Sequence, residues 1–475
     1  MSLKEEKMAS NEKLGTEKIG KLLFRFSLPC VISLLISSLY NLVDQIFVGN
    51  SSLGYLGNAA TGVVYPIIVV TQAFAWGFGD GCAAFLAICQ GKKETEKASK
   101  AMGTGISLTL ISSLFIILFA LLFSDPILTF CGASEVTLPM ARSYLWILAF
   151  FFPCYMLQNM LNSIIRSDGS PNFAMITTGV GAILNIILDP IFIYLCDWGI
   201  EGAAWATVIG QVVSFILSVL YFIKPKTFHF TWKDFLPDFK NFKEPLLLGI
   251  SSFITQLSIV VINLVGNTVI VKYGKLSIYG QDIPISTTSV ETKVFSLVLN
   301  VVVGIALGSQ PIVGYNMGAG KIKRIRKTYW LILIWTLAIG ALSTLLFELY
   351  PEGILMLFGG KESELYIEYG KMVFRLFLAT TILTCFIKMS SIFFQACGEP
   401  IKATISSLMR DILFFVPAVI VLPMIAEKHQ AGTGVVALLY APMIADVLAF
   451  FIALGITIKL FKQLKKYDKH PSNVG

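Results

Sequence analysis

Residues 101–123 read AMGTGISLTLISSLFIILFALLF, a run without a single Asp, Glu, Lys or Arg. A helix needs about 20 apolar residues to cross the hydrocarbon core of a bilayer. In lipid, only a helix or a closed barrel satisfies its own backbone polar groups. This stretch therefore reads as a membrane-spanning helix. Its flanks differ: Lys92, Lys93, Lys97 and Lys100 precede it, whereas no basic residue follows until Arg142. Basic residues stay on the cytoplasmic side, so the run gives a direction as well as a span.

The whole chain repeats this pattern. It has 475 residues, 55% hydrophobic and only 14% charged, with mean hydropathy +0.75. A soluble protein is about a quarter charged. Apolar runs predict twelve helices at 22–48, 60–89, 101–123, 139–165, 173–195, 202–223, 245–271, 285–315, 328–350, 369–396, 401–425 and 434–460. Connectors rich in Lys and Arg alternate with connectors almost free of them, which places both termini in the cytoplasm. The reading is an all-α polytopic membrane protein with two pseudo-symmetric six-helix lobes. The expected units are a tail (1–21), a first lobe (22–223), a cytoplasmic linker (224–244), a second lobe (245–460) and a tail (461–475).

The halves resemble each other. Ile127–Gly132 aligns with Ile354–Gly359 at an offset of 227, and Pro190 precedes Pro417 by the same distance. Gly169-Ser170-Pro171 aligns with Gly398-Glu399-Pro400, and Gly91-Lys92 with Gly320-Lys321. Such constancy implies internal duplication. Because six is even, both halves enter from the same side, a parallel-repeat arrangement used by transporters.

Other classes fit less well. The net charge of +8 lies between apolar runs rather than on one basic face, so nucleic acid is not an expected partner. The cysteines sit mostly inside spans, without metal spacing, and the N-terminus lacks the pattern of a removable signal peptide. Cys131 and Cys196 share a predicted side, but pairing is not expected. The Gly-Lys turns lack the remainder of a phosphate loop, so energy is expected from an ion gradient, with no cofactor. Gly77-Phe78-Gly79-Asp80 echoes a GxGD intramembrane protease. That chemistry needs a second Asp on a facing helix, and the one Tyr-Asp pair, Tyr467-Asp468, lies in the tail. Gly77, Gly79 and Gly81 read instead as close-packing positions.

Ionisable residues inside spans are costly and mark function. Tyr40 and Asp44 lie four apart on the first helix, Asn185 and Asp189 four apart on the fifth, so each pair shares a helix face. Asn162 and Thr207 add polar positions. A carboxylate here could exchange a proton, or the clustered oxygens could complete a Na⁺ shell. By the repeat offset, Asn185 and Asp189 correspond to Ile412 and Val416, so the second half lacks the acid pair. Its own in-span charges are Glu291, Lys293, Lys388, Arg410 and Asp411. Arg410-Asp411 reads as an ion pair; Glu291 reads as a counter-charge for cations or as a partner of Lys293.

Leu39-Tyr40-Asn41-Leu42-Val43-Asp44-Gln45-Ile46-Phe47-Val48-Gly49 resembles the first-helix motif of the multidrug and toxic compound extrusion (MATE) family. Gln310-Pro311-Ile312-Val313-Gly314-Tyr315-Asn316-Met317-Gly318-Ala319-Gly320-Lys321 resembles its motif after helix 8, and Gly169-x-Pro171 and Gly398-x-Pro400 its repeated turns. The resemblance covers about Lys21 to Lys466. It implies V-shaped lobes and a plasma-membrane antiporter, acting as a monomer, that exports organic, often cationic compounds in exchange for H⁺ or Na⁺. It implies a coupling site of Asp44, Asp189, Asn185, Tyr40, Asn162 and Thr207, a bend of the first helix at Pro29, and a second-lobe polar position at Gln256. A lipid-linked sugar flippase of the wider superfamily is the alternative.

Overall fold

The computed structural model describes residues 12–51, 54–357 and 364–469. Ten helices are long and apolar enough to cross a membrane, and two bent helix pairs complete twelve spans. They are α1 (Ile19–Gly49), α2 (Gly54–Lys92), α3 (Thr95–Leu122), α4 (Thr137–Phe150 with Phe152–Ser167), α5 (Pro171–Pro190, continued by Ile191–Leu195) and α6 (Gly199–Tyr221). The second set is α7 (Phe239–Gly274), α8 (Asp282–Gly318), α9 (Ile322–Leu349), α10 (Glu364–Met372, Val373–Phe377 and Thr381–Ala396), α11 (Pro400–Leu408, Met409–Phe415 and Val416–His429) and α12 (Ala441–Lys469). No strand occurs among the described residues.

Two spans expected to be straight are broken. In α4 the two pieces meet at 56°, because Pro153 in the first turn after the break has no N–H and its ring clashes with the preceding turn. In α10 the bend is 47°; there the helix widens into a π-helical turn over Val373–Phe377 before restarting at Thr381. The breaks at Phe151 and Leu378 stand 227 residues apart, as do the short helices Ser124–Phe130 and Pro351–Leu357. Lys93 (φ 66°) and Gly320 (φ 67°) also share this spacing and the left-handed conformation that ends α2 and α8. The turn glycines Gly169 and Gly398 have φ of 83° and 79°.

The segment expected as a linker is folded down against the first six helices. The buried Asp168 carboxylate accepts the Tyr221 hydroxyl (2.7 Å) and the backbone N–H groups of Lys226 (2.7 Å) and Thr227 (3.0 Å). Burial pushes the Asp168 carboxyl above the usual carboxylate range, while the Thr227 and Tyr221 hydrogen bonds pull it back. Phe228 and Phe242 are buried beside α3. α7 starts at Phe239, earlier than the apolar run, because Asp238 caps it by accepting from the Lys240 and Asn241 backbone.

Residues before α1 form a strap on the second half. The carbonyl of Leu14 accepts from Asn316 Nδ2 (3.0 Å) and Arg324 Nη2 (3.1 Å), that of Gly15 from Lys321 Nζ (3.0 Å), and that of Glu17 from Arg324 Nη2 (2.7 Å). Asn316 and Lys321 belong to the motif after α8, and here they hold backbone.

The halves meet along α1–α8, α2–α7 and α2–α8. The tight contacts cluster at the end where α1 begins. A Cβ on Gly249 of α7 would lie 1.8 Å from the Gly77 carbonyl oxygen of α2, and one on Gly308 of α8 would lie 2.4 Å from Ser27 Cα of α1. Glycine is required at both. Beyond these contacts lies a cavity lined by both halves.

Candidate functional site

The cavity has a volume of about 560 Å³ and is lined by both halves. On its first-half wall, α1 presents Tyr40 and Asp44, α5 presents Asn185, and α6 presents Thr207. Asp189 sits just behind, fully buried, one turn beyond Asn185 on the same face. The carboxyl groups of Asp44 and Asp189 are close enough to interact. Asn185 Nδ2 donates to Asp189 Oδ1 (3.2 Å) and stands 3.4 Å from Thr207 Oγ1. Three oxygens here, Asp44 Oδ1, Asn185 Oδ1 and Asp189 Oδ2, are buried and accept no hydrogen bond. The cluster is therefore short of hydrogen-bond donors. The far end of α1 is fastened to the same half where the Tyr194 hydroxyl donates to the Phe47 carbonyl (2.7 Å).

Not every expected member joins this cluster. Asn162 lines the cavity, but its side-chain oxygen accepts from Thr177 (2.9 Å) and Ser218 (3.4 Å), and its amide donates to Thr178 (3.0 Å). Pro29 is buried within α1, which runs through it as one helix. Tyr144 was absent from the expected set. It is buried in α4 and lines the cavity together with Asp44 and Thr207. No motif marks it: it stands between Ser143 and Leu145, and its i+4 partner Leu148 carries no polar side-chain atom.

The opposite wall is charged but balanced. Arg410 donates from Nη1 to Asp411 (2.9 Å) and from Nε to Asp446 (2.8 Å), and Lys388 Nζ donates to the other Asp411 oxygen (2.7 Å). Thr380 and Thr384, at the break in α10, each donate to Asp446 at 2.7 Å. The adjacent Arg410-Asp411 pair is thus part of a four-charge network; sequence reading missed Asp446, which arrives from α12. Gln256 is buried on α7 and lines the cavity. Glu291 is buried but lies outside the lining, accepting from Thr292 (3.3 Å). The expected Glu291–Lys293 pair does not form, because two residues along a helix do not face each other. Lys293 is exposed, beside Gln45, Asn50 and Asn58.

Asp80 lies on the cavity floor. It takes hydrogen bonds from Ser163 (2.9 Å) and, across the halves, Ser252 (3.0 Å), and pairs with Arg166 at 3.5 Å. No second carboxylate meets it among the described residues, so the GxGD string is no aspartyl dyad. Gly77 and Gly81 are the packing positions of α2 on α7, and Gly79 of α2 on α4. All eight cysteines are free, Cys131 and Cys196 included.

Twelve apolar helices in two like halves around a polar cavity define a polytopic membrane protein of transporter architecture. The MatE family profile matches the chain twice, over residues 29–191 and 251–420. Multidrug export protein MepA of Staphylococcus haemolyticus is 24% identical over 447 residues, covering 94% of this chain and 95% of its own. MepA of Staphylococcus aureus is 23% identical over 466 residues, covering 97% and 98%. Among solved structures, a MATE in complex with MaL6 superposes with a TM-score of 0.86 at 25% identity, covering 96% of this chain and 99% of that one. The outward-facing conformation of a multidrug resistance MATE transporter gives 0.86 and 25%, covering 96% and 98%. The chain belongs to the MATE family of multidrug efflux transporters.

Proposed function

We propose that this protein is a secondary antiporter that exports organic, mostly cationic compounds across the plasma membrane in exchange for H⁺ or Na⁺. The observation that carries the reading is the Asp44–Asp189 cluster with its three donor-less oxygens in the wall of a cavity shared by both halves. Two facing carboxylates in a low-dielectric wall repel. A proton or Na⁺ between them removes that repulsion and draws α1 toward α5; its loss releases α1. An ion that binds one arrangement of α1 better than another shifts the population between them.

Asp44 and Asp189 are the ion-binding acids, and Asn185, Thr207, Tyr40 and Tyr144 order them. Asn162 braces α4 against α5 and α6. Pro29 leaves the Arg25 backbone carbonyl of α1 without its helical donor, which makes the first third of α1 the place to bend. The sealed end is the cytoplasmic one, which the distribution of Lys and Arg supports, and the cavity faces outward. The transporter works as a monomer with both termini in the cytoplasm. The named activity of the MepA relatives, multidrug export, supports this substrate class.

Purified protein reconstituted in liposomes should move ethidium against an imposed ion gradient. Absence of dye movement under both proton and sodium gradients, in protein that remains folded, would overturn the reading.

A further inference from the structure

We propose that the cavity wall opposite the acid pair, built on Lys388 and Arg410, is a subsite for an anionic group, and that compounds carrying both a cation and a carboxylate span the cavity between the two walls. The inference rests on the reading of this cavity as the substrate route.

The first argument is the arrangement of the ion pairs. In each pair at the cavity the base is the more exposed partner. Lys388 is 14% exposed and Arg410 12%, while Asp411 and Asp446 are 2% exposed. On the floor Arg166 is 15% exposed and Asp80 7%. Of the two network acids, Asp411 borders the cavity and Asp446 does not line it. The more exposed charges on this wall and floor are thus those of Lys388, Arg410 and Arg166.

The second argument is hydrogen-bond accounting. An ammonium has three donors and a guanidinium five, with no acceptors between them. Lys388 spends one on Asp411, and Arg410 spends one on Asp411 and one on Asp446. All four carboxylate oxygens of Asp411 and Asp446 are supplied with donors. This wall therefore has donors to spare, whereas the Asp44 wall has acceptors to spare. A ligand with a cationic end and a carboxylate end satisfies both. A pure cation satisfies only the first. The wall is neutral as a network, so it suits one carboxylate or sulfonate rather than a multiply charged phosphate group.

The test uses tetramethylrhodamine, a cation with a free carboxylate, and its methyl ester, which has the same cation and ring system. Binding to purified protein in nonionic detergent is followed by fluorescence anisotropy. The unaltered protein should bind the acid at least threefold more tightly than the ester. Lys388→Gln, which leaves Asp411 paired with Arg410, should weaken the acid about tenfold, the worth of one charge-assisted hydrogen bond. It should change the ester less than twofold, and Lys388→Arg should restore the acid to within threefold. An equal loss for both dyes, or no loss for the acid, overturns the proposal. So does an ester that binds the unaltered protein as tightly as the acid, a result that needs no variant. If reconstituted protein moves neither dye under either gradient, the transport reading fails instead, and the binding comparison still judges the subsite.

Discussion

The two halves are copies in scaffold and opposites in charge. Each has a short helix before its fourth span, a fourth span broken at the same repeat position, and glycine turns in the left-handed region. Yet the first half puts two acids together with no base and leaves three oxygens without donors, whereas the second surrounds two acids with Arg410, Lys388 and two threonines. The lesson is that duplication preserves what backbone geometry demands and frees the polar positions to diverge. The balanced network holds its own charges in place. The unbalanced pair has no such partner, and on the proposed reading a proton or a cation takes that place.

The contrast is sharpest in what loss of charge does. Asp44→Asn should abolish gradient-driven efflux, read as dye transport at background level, while leaving thermal unfolding in detergent unchanged or raised, since it removes a charge repulsion. Arg410→Ala should do the reverse in stability. It strips Asp446 of its only base and Asp411 of one, and breaking a buried pair costs about 3–5 kcal/mol, visible as a large fall in unfolding temperature. An Arg410→Ala protein as stable as the parent would break the comparison. Next in size is Gly249→Ala at the sealed end. Its methyl group would collide with the Gly77 carbonyl oxygen, and overpacking costs about 1–3 kcal/mol; crosslinking of cysteine pairs placed across α2 and α7 should fall. The smallest effect belongs to the strap. Asn316→Ala removes a buried donor to the Leu14 carbonyl, and about 1 kcal/mol is expected. Faster proteolysis near residue 14 should reveal it.

Much of this was legible in the sequence, for physical reasons. Spans follow from hydropathy alone. The acid pair stood out because charged residues are rare in spans and the i, i+4 spacing is local. Lys93 and Gly320 show the limit: Gly91-Lys92 aligned with Gly320-Lys321 at 229, whereas the matching backbone turn occurs at 227, a shift that motif spacing does not reveal. The break at Phe151 was latent in Pro153, but that in α10 has no proline to announce it. Partners from distant helices were out of reach. Asp446 is 36 residues beyond its charged partner Arg410, Tyr144 is one of sixteen tyrosines, and Ser252 meets Asp80 only because glycines let α2 and α7 touch. Lys293 misled because its nearness to Glu291 is sequential, not spatial.

The central claim is that the unbalanced acid pair of the first half couples transport to an ion. The most direct test measures dye transport in proteoliposomes with ΔpH and ΔNa⁺ imposed separately, for the parent protein and Asp44→Asn. The account predicts that at least one gradient drives the parent and that Asp44→Asn responds to neither. Full gradient-driven transport by Asp44→Asn would contradict it.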